Sequence, residues 1–123
     1  MKDKKMGYKK FSNGKHSLST LNKKNLDTLL STAFFRKALT YFEERNYLEC
    51  LASLDKLKRY NNSFEAIYFL KAIILGLILK DFNKAIEEIN AGISLNPNSE
   101  KFISLKGKIL NLQYRENYNY FYI

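Results

Sequence analysis

From about residue 27 onward, apolar stripes of helical spacing alternate with short polar interruptions. Leu29, Leu30, Ala33, Phe34, Ala38, Tyr41 and Phe42 recur three and four positions apart, the spacing that lines one face of an α-helix. Residues 43–46 interrupt. Leu48, Leu51, Leu54 and Leu57 form a second stripe, ended by the polar run 59–63. Residues 64–79 are apolar almost all round, the mark of a helix buried on several sides. After the break at 80–83, Ala85, Ile86, Ile89, Ile93 and Leu95 make a fourth stripe. Pro97 cannot continue a helix and disfavours one at Asn96, while Ser99 offers an N-cap for a fifth helix from Glu100 to about Tyr114. The pattern predicts an all-α domain of about five helices over residues 26–116. Residues 1–25 show no apolar period and are expected to be a flexible arm. Residues 117–123 alternate aromatic and polar side chains and suggest no particular element.

Aligned with one another, the stripes repeat. Phe34, Tyr68 and Ile103 correspond, as do Ala38, Ala72 and Gly107, and Tyr41, Leu75 and Leu110, at offsets of 34 and 35. Past the interruption, Asn46-Tyr47 corresponds to Asp81-Phe82, Cys50 to Ala85, Leu54 to Ile89, Leu57 to Gly92 and Asn62 to Pro97, all at 35. The offset changes once, between Leu75 and Asp81. One extra residue is therefore expected near 76–80, where the third helix should bulge or run long.

Within the repeat, residues 80–99 carry an acidic-aromatic pair at the turn (Asp81-Phe82), a small Ala85, a bulky Ile89, a small Gly92 and Pro97 at the exit. This segment resembles the turn and second helix of a tetratricopeptide repeat (TPR). The resemblance covers about residues 31–115, as two full repeats and a closing helix. It implies a superhelix of helical hairpins, an α-solenoid, in which the small residues Ala38, Cys50, Ala72, Ala85 and Gly107 mark the helix crossings. The chain departs from the family pattern in ending its first repeat with Asn61-Asn62-Ser63, without proline, and in carrying Lys71 where leucine is usual. Two repeats and a closing helix are also short for a repeat array, so leftover apolar surface is expected to be covered by the chain's own ends or by a second copy.

The same resemblance implies a non-catalytic scaffold, an adaptor or small chaperone. Its groove would be lined by the first helix of each pair: Phe35, Leu39 and Phe42, then Phe69 and Ile73, then Lys101 and Lys108. The first two repeats are apolar where some members carry a polar clamp for acidic peptide ends, so an apolar or amphipathic segment of another protein is the expected ligand. The bland alternative is that these side chains are simply core, as most apolar residues at helical spacing are. A further alternative is that the face is buried against a second copy as a homodimer.

Composition narrows the chemistry. The 123 residues suit one small domain, with 46% hydrophobic and 15% aromatic residues to fill a core. One cysteine and one histidine exclude an internal disulfide framework and a multi-cysteine zinc site, and neither metal nor cofactor is expected. Cys50 reads as a small buried residue and His16 as a solvated one. Glu43-Glu44 and Glu87-Glu88 are neighbours in sequence and point about 100° apart on a helix, so both pairs read as solvated faces.

The net charge of +9 is uneven. Residues 1–25 hold eight lysines against one acid, Asp3, and the remainder is close to neutral. A secondary reading follows, contact with nucleic acid through Lys4, Lys5, Lys9 and Lys10, with Tyr8 available to stack on a base. Lysine without arginine lacks the bidentate geometry that reads bases, which leaves a solvated tail as the alternative. The longest apolar run, residues 72–79, falls far short of the roughly 20 residues a membrane span needs. With no secretory leader pattern, a soluble cytoplasmic protein without membrane contact is expected.

Overall fold

A computed structural model of the chain describes residues 23–121. It contains α1 (Lys23–Glu43), α2 (Tyr47–Tyr60), α3 (Glu65–Ile73), α4 (Phe82–Leu95) and α5 (Glu100–Phe121). α3 runs on without a break into a π-helical turn (Ile74–Ile78). The described residues include no strand. Each helix packs on the next in sequence, α1 on α2, α2 on α3, α3 on α4 and α4 on α5. Leu54, Ile67, Ile74, Ile89, Phe102 and Ile109 are completely buried between them.

Two expected boundaries are corrected. α1 begins at Lys23, so the division at 25/26 falls inside a helix, and residues 23–25 are not part of a flexible arm. α5 continues well past Tyr114, so the division at 116/117 also falls inside a helix. No proline or glycine lies between 108 and 121 to stop it, and Tyr114 and Tyr118, one turn apart, stack with ring centroids 5.7 Å apart at 20°.

The sequence repeat is written into the backbone. Arg45 and Lys80, 35 residues apart, both take left-handed conformations, with φ of 63° and 58°. The residues that follow them match as well, Asn46 at φ −89°, ψ 71° and Asp81 at φ −93°, ψ 79°. At the far end of the second helices, Asn61 lies at φ −150°, ψ 91° and Asn96 at φ −144°, ψ 86°. Their amides close on equivalent carbonyls, those of Leu57 and Gly92. The one discrepancy is the expected extra residue. The Asn46 amide donates to the Tyr41 carbonyl five residues back, whereas the Asp81 amide donates to the Leu75 carbonyl six residues back. A π turn is how a helix absorbs a single inserted residue, and Ile74–Ile78 absorbs this one.

The left-handed turns carry a cost, because a side chain in that region crowds the following carbonyl by roughly 1–2 kcal/mol. Glycine avoids the crowding, at some cost in unfolded-chain entropy. The variants Arg45→Gly and Lys80→Gly are each expected to gain about 0.5–1 kcal/mol of folding stability, measured by chemical denaturation. Removing the Lys80 side chain loses only an exposed pairing with Glu116 at 3.5 Å, which contributes little.

Candidate functional site

The five apolar residues expected to line a groove sit on the first helices of the two hairpins: Phe35, Leu39 and Phe42 on α1, Phe69 and Ile73 on α3. All five are half-buried and packed against the core. The three rings are each met edge-on by a second ring. Phe35 meets Phe64 at 5.6 Å, Phe42 meets Tyr47 at 5.7 Å and Phe69 meets Phe102 at 5.5 Å. One side of each ring therefore belongs to the fold. Alanine at Phe35 or Phe69 removes core packing as well as any contact with a partner, so neither substitution isolates binding from stability. Leu39 and Ile73 make none of these ring pairs and are the cleaner probes. At the α5 end, Lys101 and Lys108 are exposed, and the Lys101 ammonium lies 5.2 Å from the centre of the Phe69 ring. Of the expected set, the structure brings Lys101 and Phe69 into contact, and Phe35, Leu39 and Phe42 share one face of α1 by their spacing.

Lys71, placed where the TPR pattern favours leucine, builds a feature that no periodicity reveals. Its side chain is buried in α3, and its ammonium reaches Asp55 on α2 at 2.7 Å and Glu88 on α4 at 3.2 Å. Burial pulls its pKa down, but the hydrogen bonds and charges of the two carboxylates outweigh burial and hold it above the usual lysine value. The expectation for Glu88 is therefore corrected. It is not on a solvated face, for its side chain is only 17% exposed and its Oε1 is buried without a hydrogen-bond donor among the described residues. Glu87, its neighbour, is exposed, as are Glu43 and Glu44. The same bond recurs 35 residues on, where Lys106 on α5 donates to the Asn90 side chain on α4 at 2.9 Å. In both cases the lysine of one helix reaches back to the helix before it.

The first member of this lysine series, Lys37 on α1, has no described helix before it. It borders a cleft of about 390 Å³ between α1 and α2, lined by Phe34, Tyr41, Leu57 and Tyr60 with Lys56 on the far side. Phe34 is 49% exposed there, and its ring meets Tyr60 edge-on at 6.0 Å. The equivalent Tyr68 is buried and donates its hydroxyl hydrogen to the Asn62 carbonyl at 2.6 Å. The difference follows from position, since α3 has α2 packed against it and α1 is the first described helix.

Cys50 is fully buried at the position expected for a small packing residue. Burial pushes its thiol up to about 11, so almost none of it is nucleophilic thiolate at neutral pH. The arm residues Lys4, Lys5, Tyr8, Lys9 and Lys10, and His16, lie outside the described residues. No helix of the described residues is long and apolar enough to cross a membrane. Comparison with protein-family models, curated proteins and solved structures returned no match for this chain.

Proposed function

We propose that this chain is a TPR-like scaffold that binds a segment of another protein and performs no chemistry of its own. The observation that carries this reading is the repeated hairpin, with matching turns at Arg45 and Lys80 and matching caps at Asn61 and Asn96. In such an array the first helices, here α1 and α3 with α5 after them, would form one continuous surface. That surface carries half-buried apolar side chains and a cation at its edge, which suits an apolar or amphipathic segment with an acidic residue near one end.

Selection of peptides from a displayed random library against the full chain tests this. The expected outcome is enrichment of peptides with apolar residues at helical spacing and an acidic residue to one side. Leu39→Ser, Ile73→Ser and Lys101→Glu should each weaken binding of such a peptide about tenfold or more. Melting curves of the same variants show whether they remain folded. A selection that enriches nothing, or peptides that bind all three variants unchanged, would count against the proposal. The cleft beside Lys37 favours a second seat, for a helix carrying a carboxylate as Asp55 does for Lys71. Binding lost only in Lys37→Glu would move the site there.

A further inference from the structure

Three lysines share one place in the repeat: Lys37 on α1, Lys71 on α3 and Lys106 on α5, at offsets of 34 and 35. The last two are served alike by the helix before them. Asp55 on α2 accepts from Lys71 at 2.7 Å, and Asn90 on α4, 35 residues after Asp55, accepts from Lys106 at 2.9 Å. Lys71 has a second acceptor in Glu88, at 3.2 Å. The helix that supplies Asp55 also covers Tyr68, for the Lys58 ammonium stands 5.3 Å from the centre of that ring. Leu51, one turn before Asp55, lies beside Lys71 and Leu75. The covering stripe of α2 is therefore Leu51, Asp55 and Lys58, at spacings of four and three. Lys37 lacks both carboxylates. Ser53 stands in the place of Glu88, and the place of Asp55 falls at residue 20 or 21, where Thr20 and Leu21 stand. Lys37 and Lys56 both line the cleft between α1 and α2, and neither pairs with a carboxylate among the described residues.

We infer that this cleft docks an acidic helix of another protein, laid on α1 as α2 is laid on α3. The incoming helix sets an apolar residue against Tyr41, an Asp or Glu four residues later against Lys37, and a long side chain three residues after that over Phe34, which is 49% exposed. Lys56 adds a second cation that favours an acidic sequence. Charge decides the occupant. Residues 1–22 hold six lysines and one acid, Asp3. At the repeat spacing the chain's own counterpart of α2 would be residues 13–26, which hold three lysines and no acid and run into α1 at Lys23. A second copy offers the exposed apolar residues Ile103, Leu110 and Tyr114 of α5, but residues 101–115 hold four basic residues and no acid. Either would bring more positive charge to Lys37 and Lys56. This deepens the second seat of the proposed function and rests on the same repeat, but on another face of α1, since Lys37 lies about 200° round the helix from Leu39.

The test is selection on the full chain from a displayed library of peptides built on one alanine-rich helical scaffold. Among the enriched peptides, one class should carry Asp or Glu four residues after an apolar one. Lys37→Glu should weaken binding of that class about tenfold or more, and replacing the peptide's acid by lysine should restore binding to Lys37→Glu. Ser53→Glu should also weaken it about tenfold, because it gives Lys37 the internal partner that Glu88 gives Lys71. Arg115→Glu makes the same charge change on α5 and should leave binding within about twofold. Lys37 and Arg115 are exposed, so both variants should melt as wild type does. Enriched peptides that ignore Lys37→Glu, a charge exchange that restores nothing, or equal losses in Arg115→Glu would overturn the inference. So would sedimentation showing a dimer of the chain alone that Lys37→Glu dissolves, which would give the cleft to a second copy. Peptides that lose binding in Ile73→Ser but not in Lys37→Glu would support the proposed face on α1 and α3 and still sink this inference, so the two can fail separately.

Discussion

Replacing Lys71 by methionine is expected to cost about 2–4 kcal/mol of folding stability. Among the described residues the ammonium is the ion-pair partner of the Glu88 carboxylate, and it also ties Asp55 of α2 to α3. Removing one member of a buried pair leaves an uncompensated charge, which ordinarily costs about 3–5 kcal/mol. The figure is discounted here because Asp55 is half exposed and water can solvate it. Exchanging both Lys71 and Glu88 for methionine should recover much of the loss, since apolar packing replaces a buried pair with little penalty. The pH dependence has a definite sign. The Lys71 pKa is raised in the folded state, so its contribution is fully present below the unfolded lysine value of about 10.4 and fades as pH rises above it. The stability gap between wild type and Lys71→Met, measured by urea denaturation, should therefore hold constant from neutral pH to about 9.5 and shrink beyond about 10.5. A gap that grows with pH would contradict the assignment.

Gly92→Ala is expected to cost a net 2 kcal/mol or so, although alanine is the better helix former by about 1 kcal/mol. A methyl group at Gly92 would stand 2.3–2.8 Å from three atoms of the Phe102 ring. That ring is completely buried and held edge-on against Phe69, so it cannot swing aside without opening the core. The same substitution at Gly107 meets no neighbour and should raise the melting temperature of the monomer. Melting both variants side by side at low concentration separates packing from propensity. Equal effects at the two sites would contradict this placement of α5 against α4.

Most of the helix plan was legible because it depends on local chemistry. The interruptions at 43–46, 59–63, 80–83 and 96–99 each span a junction between helices to within two residues, where polar residues, Asp81 as a cap and Pro97 as a stop oppose continuation. Ala38, Cys50, Ala72 and Ala85 are completely buried, as small residues at crossings should be. The insertion between Leu75 and Asp81 could be placed from the change of offset alone, and the π turn lies there. What escaped was tertiary. Lys71 finds Asp55 and Glu88 16 and 17 residues away, on the helices before and after its own, and no stripe encodes that meeting. Gly107 matched Ala38 and Ala72 by position, but its exposure depends on the lack of a described helix beyond α5. The expected partner-binding aromatics read equally well as core, and each is in fact shared, one side against the fold and the other accessible. The extension of α5 through Tyr118 was hidden because asparagine and tyrosine have little helical preference of their own.

The most direct test of a partner-binding face on α1 and α3 is a methyl NMR titration of the full chain with a library-selected peptide. Binding as proposed shifts the methyl resonances of Leu39 and Ile73, which line the face, and leaves those of Ile103 and Leu110 on the outer side of α5 in place. Shifts confined to Ile103 and Leu110, or to Leu57 in the α1–α2 cleft, with Leu39 and Ile73 unmoved, would contradict it.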